Sequence, residues 1–551
     1  MIKTLASYLF LGSAVLVHAQ QSASDPFPVI GVQVQSGSVP VRRNINDLQS
    51  EAGPQWDLYI QALSSMIGVG PSDPLSYFQI EGIHGYPALE WNNTGSRNNN
   101  GWEGYCPHGE ALFLAWHRPY LVLFEASLIT QLLVDHARRI ASEYQGAAQT
   151  QYLQAAEQLR APYWDWAASS DVPPSTVPPT ITVNTAQGSM QVNNPLSGYT
   201  FPQEAVRGDF GQFSPNPSAA IDRCPSPDSY PSSANEGLRS NNLSDMVYNA
   251  FAYSQTFEQF STTSGGGLSI EQAHNLVHNS AACGQQFSTS EYAAFDPLFM
   301  MHHANVDRLW ALWQASKPDE ASLSRPYAGG SRFSTPEGTM ISSNSPLPPF
   351  FGQGRVAYTP DTVTSTQQFG YTYEGLENPV TPVNRKRDGY APHSHDRRQN
   401  DVDRRRRAIA KINELYRGKS HDKGGNVYLA HINYRAEDIE RPSRIQVYLC
   451  DQFVGDIAVM SQPSKGSLSA ALSLNNAFRT CLRAGVTPDK IQDKISVKIT
   501  TAHGKDIPLD AIKTITTEVE NFDETPPASP NELPKIGNRR RVQGRLRPRQ
   551  P

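Results

Sequence analysis

Apolar residues recur at helical spacing in three segments within the first 380 residues of the chain. The segments are YLVLFEASLITQLLVDHARRIASEY (120–144), LSIEQAHNLVHNS (268–280) and FMMHHANVDRLWALWQAS (299–316). Apolar positions three and four residues apart form one face of an amphipathic helix. The intervening residues 169–240 are rich in Pro, Ser and Asn, a composition typical of long surface loops. This part of the chain is therefore predicted to be a helical bundle with long loops.

The hydrophobic pattern changes beyond residue 425. The stretches NVYLAHINY, RIQVYLCDQFVGDIAVM and KISVKITTAHGK contain runs and alternations of apolar and β-branched residues, which are typical of strands. Because a single core seldom serves 551 residues, we expect two folded domains. The predicted fold class is mainly α, with a helical bundle over 25–383 followed by a small β-rich domain over 409–520.

Two strongly basic segments flank the predicted β-rich domain. The first, NRKRDGYAPHSHDRRQNDVDRRRR, is poor in apolar residues, so 384–408 is predicted to be an exposed linker. The chain ends in NRRRVQGRLRPRQP, and 521–551 is predicted to be a disordered basic tail. The whole chain has a formal net charge of −5, which provides no overall cationic field for nucleic acid or anionic membranes. Neither is therefore predicted as a partner.

The N-terminal residues MIKTLASYLFLGSAVLVHAQQ have the features of an export signal. Lys3 precedes an apolar run, and the small residue Ala19 marks a cleavage point, so 1–19 is predicted to be a signal peptide. The remaining sequence contains no apolar run that predicts a membrane span. Two glycosylation sequons, at Asn92 and Asn242, fit a secreted protein, located extracellularly or in the cell wall.

The chain has five cysteines, an odd number spread over a long sequence, so it is no disulfide scaffold. Cys224 and Cys283 lie in the first predicted domain, and Cys450 and Cys481 lie in the second. Sequence spacing leaves their connectivity open. At least one sulfur remains if the others pair.

Six of the fourteen histidines fall into two sets of three. The first set is His84 in GIHGYP, His108 in YCPHG and His117 in WHRPY, and the second is His274 and His278 in HNLVH and His303 in DPLFMMHHANVDRLW. His274 and His278 are one helical turn apart, so both rings can point at one ion. Sets of three imidazoles without an evident carboxylate or thiolate ligand favour copper or zinc over magnesium or calcium. The two sets together suggest a dinuclear site, and redox chemistry on dioxygen would require copper.

The residues next to these histidines carry further predictions. Asp307 follows His303 by one helical turn, so its carboxylate is predicted to hold that imidazole in its metal-binding tautomer. His302 projects about 100° away from His303 and is predicted to be a hydrogen-bonded core histidine. His117 is predicted to lie at or just inside the start of a helix, where Pro119 is tolerated in the first turn.

These motifs occur in the same order in fungal tyrosinases, and the chain resembles that family over about residues 28–515. The family belongs to the coupled dinuclear (type 3) copper proteins, together with catechol oxidases and haemocyanins. The resemblance implies two copper ions, one bound by His84, His108 and His117 and the other by His274, His278 and His303. It also implies a thioether between Cys106 and the ring of His108, which would account for the odd sulfur.

The resemblance further implies an enzyme. A tyrosinase hydroxylates small monophenols to o-diphenols and oxidises these to o-quinones with O2, which leads to melanin-type pigments. Glu271 and Asn275 resemble the pair that holds a water as the base for monophenol deprotonation. The sequence FGYTY (369–373) resembles the tyrosine motif that closes the catalytic domain, with Arg42 or Arg43 as its cationic neighbour.

The β-rich domain resembles the domain that covers the copper entrance in fungal tyrosinases until it is cleaved away. NRKRD and DRRRR offer basic cleavage sites for an activating protease. The chain is therefore predicted to be a latent pro-enzyme that is activated by cleavage between about 383 and 408.

Three other functions are weighed against this prediction. A catechol oxidase or o-aminophenol oxidase would share the site but show little monophenolase activity. A haemocyanin-like O2 carrier needs a permanently shielded site, which the cleavable linker argues against. A zinc hydrolase would need the general-base glutamate of an HExxH motif, which HNLVH lacks. The physiological phenol, the ratio of the two activities, the protease and the oligomeric state stay open.

Overall fold

The structure of the protein is a computed structural model. It describes residues 26–34, 38–95, 97–98, 101–125, 132–211, 213–216, 218–225, 228–377 and 394–549. The predicted signal peptide and the basic sequence NRKRD (384–388) therefore lie outside the described residues.

The first domain is helical and occupies described residues up to 377. Within the described ranges its α-helices are α1 (Ile45–Glu51), α2 (Pro54–Ile67), α3 (Tyr77–Gly82), α4 (Phe113–Glu125), α5 (Leu133–Glu143), α6 (Gly146–Gln158), α7 (Gln203–Val206), α8 (Ser232–Arg239), α9 (Leu243–Tyr253), α10 (Phe257–Ser261), α11 (Ile270–Ala282) and α12 (Leu298–Ser316). Two short hairpins accompany them, formed by β1 (Thr180–Thr185) with β2 (Gly188–Asn193) and by β3 (Tyr327–Ala328) with β4 (Met340–Ile341).

Helices α4 and α12 form the centre of this domain. Every residue of α4 is buried, and α12 contacts both α4 and α11. A helix that is buried on all sides must lie in the interior of its domain. Helix α4 already begins at Phe113, so Pro119 lies in its interior rather than in its first turn. The proline nitrogen has no hydrogen for the carbonyl one turn earlier, and the close packing around α4 offsets this loss.

The second domain begins with a helix and continues as two mainly antiparallel sheets. Its elements are α13 (Ser394–Tyr416), β5 (Gly425–Arg435), β6 (Ser443–Leu449), β7 (Gln452–Val459), β8 (Ser467–Ser473), α14 (Asn475–Arg483), β9 (Ile495–Thr501), β10 (Asp506–Ile507), β11 (Thr516–Thr525), β12 (Lys535–Gly544) and β13 (Arg547–Pro548). One sheet has the order β12-β11-β5-β8, and the other has the order β10-β9-β6-β7 with β13 parallel to β9. Buried apolar residues from both sheets form one common core, among them Ile432, Ile445 and Val497. The predicted fold class, a helical domain followed by a β-rich domain, is confirmed.

The predicted linker is helical over its second half, because α13 begins at Ser394. The apolar residues Ala408, Ile412 and Tyr416 recur at helical spacing and are buried against the first domain. The Tyr416 hydroxyl donates to Asp165 at 3.0 Å and accepts from Arg308 at 2.7 Å. The predicted linker is thus a helix over residues 394–408, and its side chains over 399–407 are exposed or half-buried, as predicted, up to the buried Ala408.

The prediction of a disordered tail is also wrong, because residues 521–549 contribute strands to the sheets of the second domain. Strand β12 pairs along β11, and β13 pairs with β9. Arg539 and Arg541 lie 3.3 Å and 3.5 Å from the two carboxylate oxygens of the buried Glu520. Two of the basic residues that indicated a solvated tail, Arg539 and Arg541, are thus paired with Glu520 of the neighbouring strand.

The cysteines pair within each domain. Cys224 is bonded to Cys283 and Cys450 to Cys481, while Cys106 is a buried free cysteine. The sequon at Asn92 is not available in the folded protein, because its buried Nδ2 donates to the carbonyls of Phe27 and Pro349. None of the described helices has the length and apolar character needed to cross a bilayer.

Candidate metal centre

The six predicted histidine ligands come from three central helices and the loops beside them. His274 and His278 lie on α11, His303 on α12 and His117 on α4. His84 follows α3, and His108 lies in the loop before α4. Each of the six is at most 5% exposed. A cluster of buried imidazoles needs a binding partner, because unpaired polar groups are costly in the interior.

The rings of each predicted set lie together, and the two sets adjoin. In the first set, the ring centroids of His84, His108 and His117 are 5.3 to 5.7 Å apart. In the second set, His274 Nε2 lies 3.1 Å from His278 Nε2 and 3.2 Å from His303 Nε2. The rings of His117 and His303 stack at 4.2 Å and join the sets. The structure therefore brings all six predicted residues into one cluster.

Backbone carbonyls determine, in each of three histidine rings, which nitrogen keeps its lone pair for a metal. Nδ1 of His84 lies 2.8 Å from the Ser290 carbonyl, Nδ1 of His117 lies 2.7 Å from that of Phe113, and Nδ1 of His278 lies 2.7 Å from that of Phe287. A carbonyl only accepts hydrogen bonds, so each Nδ1 carries the hydrogen and each Nε2 keeps its lone pair. For His84 and His117, this Nε2 is buried without a hydrogen-bond partner among the described residues. This is the tautomer that metal-binding histidines require.

The contacts of the second set of histidines show whether its nitrogens suit a metal ion. His274 Nδ1 lies 2.8 Å from Asn275 Oδ1, so His274, like His278, directs an Nε2 lone pair into the cluster. Two lone pairs 3.1 Å apart repel unless a cation lies near both. Burial lowers the pKa of His278 to about 3, so a proton does not serve as that cation at neutral pH. The same cause lowers the pKa of His84 to about 3. The donor set therefore fits a metal ion that accepts neutral imidazoles, such as copper.

Cys106 lies beside the first set. Its Sγ is 3.5 Å from Nδ1 of His108, and Cys106, His84 and His108 are close enough to form one potential ligand group. Burial raises the pKa of the Cys106 thiol well above its ordinary value, so it is protonated at neutral pH. Cys106 is therefore near enough to react with the His108 ring but is not a thiolate ligand in this state.

Asp307 does not orient His303, and that prediction is wrong. Its Oδ1 accepts from Arg118 Nε at 2.5 Å, and its Oδ2 accepts from the Tyr371 and Tyr373 hydroxyls at 2.7 Å each. Nδ1 of His303 has no hydrogen-bond partner within the part of the chain that the structure describes. The carboxylate is already occupied by these stronger partners. Burial raises the pKa of Asp307, but the charges of Arg118 and Arg42 and the hydrogen bonds from Tyr371 and Tyr373 together bring it below its ordinary value.

The tyrosine motif FGYTY has Arg42 as its cationic neighbour. The Arg42 guanidinium lies 3.7 Å from the centre of the Tyr371 ring, and its Nη1 donates to the Tyr373 hydroxyl at 2.8 Å. Arg43 instead forms an exposed ion pair with Glu51. Of the two arginines that the sequence offered, Arg42 therefore holds the motif to the helical core.

His302 departs from its predicted role. Both of its ring nitrogens are buried and neither has a hydrogen-bond partner in the described ranges. Its ring lies 4.8 Å from that of His274 and 4.7 Å from that of His278, and it groups with His274, His278 and His303 as a potential ligand. The prediction of a hydrogen-bonded core histidine is wrong, because α12 carries His302 to the edge of the second set.

Glu271 and Asn275 both lie next to the cluster on α11. Oε1 of Glu271 accepts from the Gly109 nitrogen at 2.6 Å, and Oε2 accepts from Thr262 Oγ1 and from the nitrogen and Oγ1 of Thr263. Burial raises the pKa of Glu271, and these hydrogen bonds offset part of the rise. Glu271 thus ties α11 to the loop of His108, and Asn275 fixes the ring of His274.

The second domain rests on the rim of this centre. A Cβ atom built on Gly109, whose φ is +65°, would lie 2.6 Å from Pro463 Cγ. The side chain of Gln272 on α11 forms two hydrogen bonds with the backbone of Ala471 in β8, at 3.0 and 3.2 Å. Ser461 Oγ accepts from the Ser290 nitrogen at 2.9 Å, and Ser290 is also the residue whose carbonyl holds His84. Sequence reasoning missed Gln272 and Ser461, because only the folded domains bring them together.

A cavity of about 560 Å³ lies between the two domains at His108. On the side of the first domain it is lined by, among others, Glu110, Glu258 and Arg325, and on the other side by residues 462–468. This volume is sufficient for a small aromatic molecule. The segment 462–468 closes one side of the cavity.

Comparison with known proteins agrees with this geometry. Residues 74–316 match the common central domain of tyrosinase. The chain is 36% identical over 366 residues to the tyrosinase of Podospora anserina, and this alignment covers 61% of this chain and 62% of that protein. It is 33% identical over 384 residues to the tyrosinase of Neurospora crassa, and that alignment covers 63% of this chain and 54% of the Neurospora protein. The matches thus span less than two thirds of the length of these relatives.

Solved structures show the same fold in both domains. The latent and active mushroom tyrosinase superposes with a TM-score of 0.75 at 22% identity, covering 95% of this chain and 100% of that chain. A mutant of the Aspergillus oryzae pro-tyrosinase gives a TM-score of 0.72 at 19% identity, covering 96% and 99%.

Proposed function

We propose that the chain, whose residues 74–316 match the common central domain of tyrosinase, is a copper-dependent phenol oxidase that uses O2 to hydroxylate small monophenols and to oxidise o-diphenols to o-quinones. The observation that carries this proposal is the cluster of six buried imidazoles, in which backbone carbonyls direct Nε2 lone pairs inward. These imidazoles would hold two copper ions, which would supply the redox chemistry with dioxygen. The test is oxygen uptake by copper-loaded, protease-trimmed protein with tyrosine and with catechol in parallel.

The chain's own residues prepare this site for a phenol. The carbonyls of Phe113, Phe287 and Ser290 hold three rings in the ligating tautomer. A phenol has a pKa of about 10 and must lose its proton before it can bind as a phenolate at neutral pH. A water held by Glu271 and Asn275 is proposed to take that proton.

Asn275 provides the first test of monophenolase activity. We expect Asn275→Gly to lower monophenol turnover by about a hundredfold, because a positioned base contributes at least that factor, and to lower catechol turnover far less. Asn275→Asp keeps an oxygen acceptor for His274 Nδ1 and is the matched control. Turnover of both substrates and copper content are measured together. Equal losses on both substrates at full copper content would contradict the role of Asn275.

The surroundings of Glu271 favour a second candidate function. A carboxylate offers about four acceptor positions, and Glu271 already receives four hydrogen bonds from protein groups. A carboxylate occupied in this way has little capacity left for a water. This favours a catechol oxidase or o-aminophenol oxidase with little monophenolase activity. Uptake with catechol but not with tyrosine would support this candidate.

A thioether between Cys106 and the His108 ring is the second structural element of the proposal. The 3.5 Å separation of Sγ and Nδ1 and the burial of both residues support it. Forming the bond removes one hydrogen from the thiol and one from a ring carbon, and O2 accepts the two electrons and two protons. We expect the peptide containing both residues to be lighter by two hydrogen atoms in the copper-loaded protein than in protein never exposed to copper. An unchanged mass, with a thiol that alkylates after unfolding, would contradict the cross-link.

Latency is proposed from the contacts of the second domain with the rim. Pro463 and Leu468 pack over Gly109, next to His108, and β8 is bonded to α11 through Gln272. Cleavage is proposed at the basic residues 385–387. The other basic group, 404–407, lies within α13, and proteases favour exposed loops over helical segments. Export through the signal peptide and a glycan on the exposed Asn242 belong to the same proposal.

A further inference from the structure

His421 lies between the two domains and has a carboxylate on each side of its ring. It belongs to the loop that joins α13 to β5, and its side chain is 5% exposed. Its Nε2 lies 3.0 Å from Oδ1 of Asp245 on α9, and its Nδ1 lies 3.4 Å from Oε1 of Glu524 on β11. Asp245 belongs to the first domain and Glu524 to the second. A single ring therefore joins acidic groups of both domains.

These contacts define the charge of the ring. An ionised carboxylate accepts hydrogen bonds and has no hydrogen to donate, so each ring nitrogen of His421 that faces one must carry a hydrogen. A ring with both hydrogens is an imidazolium cation. Asn249 Nδ2 donates to Oδ2 of Asp245 at 2.9 Å, which leaves Oδ1 for the ring. Burial lowers the pKa of His421, but hydrogen bonds and charges from Asp245 and Glu524 raise it to about 9.

The other polar groups around the ring do not replace this charge. The Tyr253 hydroxyl on α9 lies 3.3 Å from Nδ1, and the Tyr248 ring lies 4.5 Å from that of His421. Burial raises the pKa of both tyrosines, so their hydroxyls stay neutral in the range where His421 titrates. Arg417 on α13 points elsewhere, because its Nη2 lies 3.2 Å from Asp422 and donates to the His421 carbonyl at 3.1 Å.

A second histidine pair lies within the second domain and does not cross to the first. Nε2 of His431 on β5 lies 2.8 Å from Oε2 of Glu520 on β11. Lys419 and Lys423, on either side of His421 in the chain, are exposed to solvent. Separation of the domains would therefore remove a partner from His421 and leave the His431 pair intact.

We propose that His421 holds the two domains together as an imidazolium between Asp245 and Glu524, and that loss of its proton at alkaline pH weakens the attachment of the second domain. Glu524 stays beside His421 after separation, so the contact with Asp245 is the part that is lost. The pKa of His421 is therefore higher in the assembled protein than in the separated second domain.

The direction of the pH dependence follows from this difference. A group whose pKa is raised by assembly stabilises the assembly fully below its pKa in the separated state, and this contribution is lost as the pH rises through about 9. The contact with Asp245 involves no copper ligand. It affects activity only through the proposed latency.

The test measures separation of the domains in the copper-loaded chain after cleavage before α13. Sedimentation gives the dissociation constant of the two parts between about pH 6.5, the ordinary pKa of histidine, and about pH 9.5. We expect the constant to rise by about tenfold over this range, since one unit of difference in pKa corresponds to a tenfold change. No turnover is measured, so failure of the proposed phenol oxidase function or of latency would leave the result unaffected.

Two variants remove the contact from either side. His421→Gln removes the titrating ring, and Asp245→Asn removes the partner in the first domain. Both should show near neutral pH the weaker attachment that the unaltered protein shows at alkaline pH, and both should lose most of the rise. Asp245 is 20% exposed and Asn has the same size, so this variant keeps the test valid if His421→Gln misfolds. As the matched control, His503→Gln changes an exposed histidine of the second domain and should keep the full rise.

A neutral His421 would give a different result. Its Nδ1 would then accept from the Tyr253 hydroxyl, and the dissociation constant would not change over this range. A constant dissociation constant in the unaltered protein, or an equal rise in the unaltered protein and in both variants, would overturn the proposal.

Discussion

Replacing His278 by asparagine is expected to lower the copper content from two ions to about one or fewer per chain and to abolish oxygen uptake with catechol. The Asn amide can still donate to the Phe287 carbonyl in place of Nδ1, but it has no group at the position of Nε2. The change therefore removes a ligand while keeping the hydrogen bond that positions the residue. Metal analysis of the purified protein and an oxygen electrode measure the two effects.

A second histidine variant serves as the control for this prediction. His503→Asn changes an exposed histidine in the second domain, and copper content and uptake should stay at the level of the unaltered protein. If His278→Asn bound two ions and kept its activity, the six-histidine centre would be assigned incorrectly. A parallel measurement on His302→Asn would show whether this fourth imidazole contributes to the second ion.

Cleavage at residues 385–387 followed by separation of the two fragments is expected to raise catechol turnover by about tenfold or more. In the full-length chain, Pro463 and Leu468 lie against the Gly109 loop beside His108, and under the proposed latency they restrict the approach of substrate to the histidine cluster until the second domain moves. A site that is open in about a tenth of the molecules shows an apparent affinity reduced by the same factor. Initial rates of the full-length and the separated, trimmed enzyme are compared at equal copper content.

The matched control replaces the basic residues at 385–387 by glutamine. This chain should resist a protease specific for basic residues under the same conditions and should stay at the low rate. Equal rates for the full-length and the trimmed enzyme would show that the second domain does not restrict access.

The sequence was sufficient to predict the six histidines, because their identity and local spacing define the metal chemistry. HNLVH predicts two ligands on one helical face, and the structure places both at the same cluster. The partners of those histidines were not predictable in the same way. Asp307 follows His303 by one turn, but its partners Arg42 and Arg118 are distant in sequence, and only the fold shows that they occupy it.

The errors in the second domain have a related cause. A basic run predicts a solvated segment when its sequence is considered alone, and this pattern includes Arg539 and Arg541 in the predicted tail. Their acidic partner Glu520 lies on the adjacent strand. The order of charges along the sequence does not show which residues pair across two strands. In α13, the apolar positions Ile412 and Tyr416 were obscured by the charges before them.

The burial of Tyr416 between Arg308 and Asp165 affects whether cleavage before α13 releases the second domain. His421 adds to this attachment, with Nε2 3.0 Å from Asp245 of the first domain and Nδ1 3.4 Å from Glu524 of the second. A cut before α13 leaves these contacts intact, so the severed part stays bound as a separate polypeptide. Under the proposed latency, activation would consist of hydrolysis followed by dissociation, and the second step would depend on dilution. The released fragment would act as an inhibitor in trans. A concentrated, fully cleaved sample would therefore keep a low phenol oxidase activity until it is diluted.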